Sequence, residues 1–401
     1  MNALTETLHG QSRMAATIGL CFLVALLEGL DLQAAGIAAS GMATAFSLDK
    51  MQMGWVFSAG ILGLLPGAFA GGWLADRIGR KRVLIASVAL FGLFSLATAY
   101  AWDLSTLIAA RLLTGVGLGA ALPNLIALTS EAAGTRLRGS AVSLMYCGVP
   151  LGAALAAAIG IAGYAADWQL VFQIGGVVPL LILPLLWMYL PETSDFRTAS
   201  IRSNPTNLRT DLLGQSATWL LWLSYFFTLM VVYILINWLP SLLVNQGFSS
   251  INASWVMFAL QIGAAIGTLA LGVLMEHLPA WATAALVYVG ILCALAGLGL
   301  AEDLTGMLVA GFVAGFFATG GQGVLYALAP WFYPARVRAT GVGAAVAVGR
   351  LGAMSGPLVA GQMLALGTGT AGVLLASAPG IVVAALALFH LGMRRPARLP
   401  D

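Results

Sequence analysis

Four charged side chains stand inside long apolar runs of this sequence: Glu28 and Asp31 in LLEGLDLQAAG, Arg111 in RLLTGVGLGA and Arg350 in AVAVGRLGAMSG. A charge in the middle of a bilayer costs roughly 2.5–3.5 kcal/mol even on the mildest scale, so each of these residues needs a partner, water or a task. Glu28 and Asp31 are three residues apart and share roughly one helical face. Two carboxylates held close in a partly dry space repel each other, which suits one of them to taking up and releasing a proton. The bland alternative puts one or both at a wetted helix end. Arg111 lies where an antiparallel neighbour could carry Asp31 within its reach, and Gly115, Gly117 and Gly119 beside it permit close approach of another backbone. Such a pair is either a static salt bridge or one that opens when Asp31 is protonated. Arg350 has no evident acidic partner in its own half of the chain. A buried guanidinium without a fixed carboxylate is suited to receiving one from a ligand through two parallel bonds, which points to an organic anion. Snorkelling or a contact between halves would account for it equally.

Uncharged polar groups widen the set of candidate binding residues: Gln33, Asn124, Tyr146, Asn237, Gln261, Gln322 and Tyr326, each of which could equally join two helices. Trp238 belongs to an aromatic stretch with Tyr225, Phe226, Phe227 and Tyr233 that could stack on a ring or face lipid.

Helices long enough to cross a bilayer must position these groups. Of the 401 residues 60% are hydrophobic and 8% charged, with a mean hydropathy of +0.95. A soluble protein carries about 25% charged residues, so this chain could not cover its surface in water. A span needs roughly 20 apolar residues. Twelve such runs are expected near 17–40, 52–73, 83–101, 105–129, 139–163, 168–190, 218–244, 254–275, 281–300, 305–330, 340–363 and 372–392. The fold class is therefore an all-α membrane protein of two six-helix halves, 1–190 and 218–401, joined by a polar cytoplasmic linker over 191–217. Nearly all Lys and Arg residues fall on one side of this arrangement, among them Arg13, Arg77, Arg80, Lys81, Arg82, Arg136, Arg138, Arg336 and Arg338. The other side has Lys50 beside Asp49, Asp103, Asp167, Glu302 and Asp303. The excess of positive charge marks the cytoplasmic side and places both termini there. The first apolar run is too long for a cleavable signal and holds an acidic pair.

The halves repeat two hundred residues apart: Gly115 answers Gly315, Arg136 answers Arg336, Arg138 answers Arg338, and Leu151-Gly152 answers Leu351-Gly352. Parallel six-helix repeats are a transporter architecture. Motifs for nucleotide, zinc-peptidase or nucleophile-elbow chemistry are missing, three scattered histidines make no metal cluster, and no basic domain offers a nucleic-acid surface. The expectation is a carrier rather than an enzyme, without cofactor or metal. Cys21, Cys147 and Cys293 read as small hydrophobes within apolar runs.

The stretch Gly72-Trp-Leu-Ala-Asp76-Arg77-Ile-Gly79-Arg80-Lys81-Arg82 resembles the loop between the second and third helices of the major facilitator superfamily. Arg111-Leu-Leu-Thr-Gly115-Val-Gly117 resembles its fourth-helix motif, and Pro191-Glu192-Thr193 the segment that closes its sixth helix. Glu28-Gly-Leu-Asp31-Leu-Gln33 is similar to the acidic first-helix signature of the aromatic acid–proton symporters, with Glu28 where that family usually has Asp. The resemblance spans essentially the whole chain. It implies proton-coupled uptake of an aromatic carboxylate of the phenylpropionate type by alternating access, in a functional monomer of the bacterial inner membrane. It further implies a conformational latch of Gly72, Asp76, Arg77, Gly79 and Arg80, with Glu131 as a partner. The corresponding place in the second half, Gly272-Val-Leu-Met-Glu276-His277, has lost most of that motif. Efflux, another organic anion such as a benzoate or short carboxylate, and a membrane receptor or scaffold are the competing readings.

Overall fold

A computed structural model describes residues 2–164, 167–191, 216–332 and 338–393; within these ranges the side chains of 2–13 and of a number of others, including Asp76, Arg136 and Arg138, lie outside the described set. Among the described residues twelve helices are long and apolar enough to cross a membrane. They are α1 (Met14–Ile37), α2 (Lys50–Ala75), α3 (Arg80–Ala99), α4 (Leu104–Gly134), α5 (Ala141–Tyr164), α6 (Trp168–Tyr189), α7 (Ser216–Asn245), α8 (Ser250–Met275), α9 (Ala280–Leu300), α10 (Leu304–Tyr326), α11 (Gly341–Ala365) and α12 (Gly369–Met393). Each lies within a few residues of an expected run. A short helix, Ala39–Ala45, follows α1. The linker expected at 191–217 falls almost wholly on residues outside the described ranges.

Large apolar side chains such as Phe69, Leu181, Val289 and Leu386 point outward and are exposed. That surface would be a fault in water and is the ordinary lipid face of a helical membrane protein, whose backbone polar groups are satisfied within each helix. Helix starts on the face away from the termini are capped by short polar side chains. Asp49 forms a capping box with Gln52, and Asp103 one with Thr106. The hydroxyl and amide of Thr106 hold the exposed Asp103 carboxyl below its ordinary range. Ser249 and Asp303 cap α8 and α10 at the matching places of the second half.

The repeat extends to packing. A Cβ at Gly152 would overlap the Leu26 carbonyl, and one at Gly352 the carbonyl of Phe226, its counterpart two hundred residues on. Likewise Gly115 meets the Gly60 carbonyl and Gly315 that of Leu260. The same close backbone approaches therefore join α1 to α5 and α7 to α11, and α2 to α4 and α8 to α10.

Bonds between the halves lie toward the face away from the termini. Gln261 Nε2 donates to Gln33 Oε1 at 2.8 Å, Gln33 Nε2 donates to the Ile236 carbonyl at 3.0 Å, and the Ser58 hydroxyl donates to the Met354 carbonyl at 2.8 Å. Gly36, Gly54 and Gly361 bring backbones close across the same seam. Toward the basic face, a Cβ on Gly72 or Gly272 would meet nothing within 4 Å. The Gln33, Gln261 and Ser58 bonds and the glycine approaches beside them close the seam between the halves at the end away from the termini.

Candidate transport site

α1 carries its two acids into different surroundings. Asp31 is fully buried and turned into the first half: Arg111 Nη1 donates to its Oδ2 at 3.0 Å and the Ser95 hydroxyl to its Oδ1 at 2.7 Å. The Arg111 guanidinium lies 5.2 Å from the Phe172 ring centroid, and its Nε has no hydrogen-bond partner. This ion pair is desolvated on both sides, so removal of either member leaves a bare buried charge. Glu28, one helical turn earlier, lines a small cavity between the halves together with Arg350. Its Oε2 is buried and has no hydrogen-bond partner.

The cavity wall draws Gln33 from α1, Tyr146 and Pro150 from α5, Tyr233 from α7, Gln261 and Thr268 from α8, and Thr319 and Gln322 from α10. Arg350 Nη1 donates to the Tyr233 hydroxyl at 2.8 Å. The Tyr146 and Tyr326 phenols and the Glu28 carboxylate lie close enough to act electrostatically on the same guanidinium. Gln322 Nε2 donates to the Tyr326 hydroxyl at 2.9 Å, and the Tyr326 ring packs 5.6 Å from that of Tyr225. A widened π-type turn at Gly315–Thr319 comes just before Gln322, a distortion frequent at functional sites. Such a cavity can bind a carboxylate at Arg350, contact a ring through Tyr146, Leu32 and Leu122, and accept a proton at Glu28.

The structure therefore brings together Glu28, Gln33, Tyr146, Gln261, Gln322, Tyr326 and Arg350 from the candidate set, and pairs Asp31 with Arg111 beside them. It does not bring Asn124, Asn237 or Trp238 to this cavity. The amides of Asn124 and Asn237 donate to carbonyls one turn back in their own helices, Ala120 and Tyr233. Trp238 is buried, edge-on to Phe57, with its indole N–H on the Pro357 carbonyl at 3.0 Å. Tyr233 is the cavity-lining residue that sequence reasoning left among the aromatics, and Ser95 the second partner of Asp31 that it did not single out. A tyrosine one turn before Asn237 gave no signal by itself.

At the basic face Arg80 pairs with Glu131, and the Arg77 guanidinium lies 3.7 Å from the Trp73 ring centroid. Gly79 has φ 104° at the junction of α2 and α3, a backbone state open to glycine at little cost. The Asp76 side chain lies outside the described residues.

The profile of the Major Facilitator Superfamily matches residues 21–307. The chain belongs to this superfamily. It is 68% identical over 384 residues to the 3-(3-hydroxy-phenyl)propionate transporter of Escherichia coli K12, covering 96% of this chain and 95% of that one. It is 36% identical over 390 residues to the gallate transporter of Pseudomonas putida, covering 87% and 85% of the two chains. Among solved structures, the xylose transporter of E. coli in a partially occluded inward-open conformation superposes with a TM-score of 0.77 at 18% identity, over 94% of this chain and 97% of that one. Superfamily members work as carriers by alternating access, and the chain is a multi-pass membrane carrier, not an enzyme.

Proposed function

We propose that this protein imports an aromatic carboxylate together with protons, and that 3-(3-hydroxyphenyl)propionate or a close phenylpropionate is its substrate. The observation that carries the reading is Arg350, a guanidinium at the wall of a cavity between the halves, in a chain so similar to a transporter of that acid. The relatives include carriers named for gallate and 4-hydroxybenzoate, which share a carboxylate on a hydroxylated ring. Arg350 holds the carboxylate and the Tyr233 hydroxyl steadies the guanidinium. Tyr146, Gln261, Gln322 and Tyr326 shape the ring site. Proton coupling runs through α1, where Glu28 faces the cavity and Arg111 holds Asp31.

The carrier works as a monomer in the inner membrane with both termini in the cytoplasm, the assignment favoured by the basic residues gathered at that face. The sealed face with Gln33, Gln261 and Ser58 is then the outer one. Residues 1–190 and 218–401 rock about the cavity, and 191–217 link them on the cytoplasmic side. Gly72, Asp76, Arg77, Gly79, Arg80 and Glu131 latch the cytoplasmic side when the outer seal opens.

The test is uptake of labelled 3-(3-hydroxyphenyl)propionate into proteoliposomes with and without an inward proton gradient. Accumulation that collapses with a protonophore is the expected result. Equal uptake in both conditions would remove proton coupling, and no uptake by folded protein would remove the substrate.

A further inference from the structure

The two acids of α1 are three residues apart. Their surroundings separate them. Asp31 has no exposed surface, accepts one bond to each oxygen and faces a fixed guanidinium. Glu28 is 4% exposed, has an oxygen without any hydrogen-bond partner, and lines the cavity that holds Arg350. Among the described residues, the titratable and charged groups that face Glu28 are Arg350 from α11, Tyr146 from α5 and Tyr233 from α7, with Tyr326 from α10 acting on the same guanidinium. The α8 wall adds only the neutral Gln261 and Thr268. Among the described residues Arg350 is thus the cation acting on Glu28 in this cavity, and it is also the cation proposed for the substrate.

We infer that Glu28 and the substrate carboxylate exchange places as the counter-ion of Arg350, so that arrival of the anion loads a proton onto Glu28, while the Asp31–Arg111 pair is a fixed brace that carries no transported proton. This rests on the import reading given above. In the empty site the Glu28 carboxylate faces Arg350. An arriving R–COO⁻ pairs with the guanidinium, and Glu28, left in a low-dielectric wall without its cation and with Oε2 unpartnered, takes one H⁺ to become a carboxylic acid. The new O–H supplies a donor where the unpartnered oxygen now lies. When the site opens to the cytoplasm the anion leaves, Glu28 releases its proton there, and the carboxylate returns to Arg350. One anion and one proton cross together, with no net charge moved.

The experiment is calorimetric titration of purified wild-type protein with 3-(3-hydroxyphenyl)propionate in buffers of different ionisation enthalpy, over a range of pH. Wild-type protein is expected to take up close to one proton per anion bound, with an apparent Kd that rises about tenfold per pH unit once Glu28 is ionised in the empty site. Glu28→Gln should bind with no proton uptake and a flat pH profile. Asp31→Asn should keep the proton uptake at whatever affinity remains. Glu28→Asp, which keeps the acid but shortens it, should keep the uptake with a displaced pH midpoint.

Proton uptake that persists in Glu28→Gln overturns the inference. So does its loss in Asp31→Asn with Glu28 intact, or an undisplaced profile in Glu28→Asp. Loss of binding in a folded Glu28→Gln protein overturns it as well, since the amide copies the proton-loaded side chain. Failure of the wild type to bind this acid or 4-hydroxybenzoate would instead sink the substrate reading itself, and the exchange with it.

Discussion

The two halves share a frame and divide the chemistry unequally. Gly115 and Gly315, Gly152 and Gly352, and the caps at Asp103 and Asp303 occupy matching places and make matching contacts. Yet the residues two hundred positions after Asp31, Ser95 and Arg111 are Val231, Leu295 and Gly311. The ionic brace of the first half is replaced by apolar packing. Glu28 answers to Thr228, whose hydroxyl pairs with that of Tyr288 at 3.0 Å, and Arg350 answers to Pro150. The first half thus contributes the cavity's acid and the second its cation, and the site exists only where they meet. Packing at the helix crossings is a property of the repeat; charge is a property of each half separately.

The largest effect should come from breaking the brace. Arg111→Leu or Asp31→Asn alone leaves an unpaired buried charge or donor and is expected to cost about 3–5 kcal/mol of stability in thermal unfolding in detergent. The double variant Asp31→Val with Arg111→Gly copies the second half and should recover much of that loss. If it recovers none, the apolar arrangement of the second half is not interchangeable with the ionic one. Next comes Arg350→Lys, which keeps the charge but loses the fork that grips a carboxylate. Substrate binding should weaken by about 1.5–3 kcal/mol, roughly ten- to a hundredfold, measured by calorimetry with folding unchanged.

Gly152→Ala and Gly352→Ala offer a direct comparison of the matched crossings. Each pushes a methyl into a carbonyl and should cost about 1–3 kcal/mol, and the two losses should be alike in thermal unfolding. A large disparity would show that the crossings differ in give despite equal geometry. The smallest effect is expected at the seam. Gln33→Leu removes two neutral bonds between halves, each worth about 0.5–1.5 kcal/mol, and should raise labelling of cysteines introduced in the outer vestibule.

Much of this was legible in the amino-acid order. Apolar runs, basic turns and the repeat predict twelve spans because lipid admits few other solutions for a backbone. Asp31 and Arg111 were readable as a pair because a mid-membrane charge needs a partner. What the order could not tell was rotation about each helix axis. Glu28 and Asp31 share a nominal face, but the structure turns one to the cavity and the other to the bundle interior. Asn124, Asn237 and Trp238 have the polar chemistry of ligand contacts and spend it on nearby carbonyls. Tyr233 became visible only through α11, since nothing local says that its hydroxyl meets a guanidinium 117 residues away.

The seam at the face away from the termini is made of neutral donors resting on an amide oxygen and backbone carbonyls, at Gln33, Gln261 and Ser58. Such bonds are indifferent to acidity and little affected by ionic strength. On the proposed orientation this seam is the outer one, where acidity and salt vary most. A closure built this way opens and shuts on the same terms in acid or brine, and under the proposed coupling leaves the decision to move to the cargo and its proton.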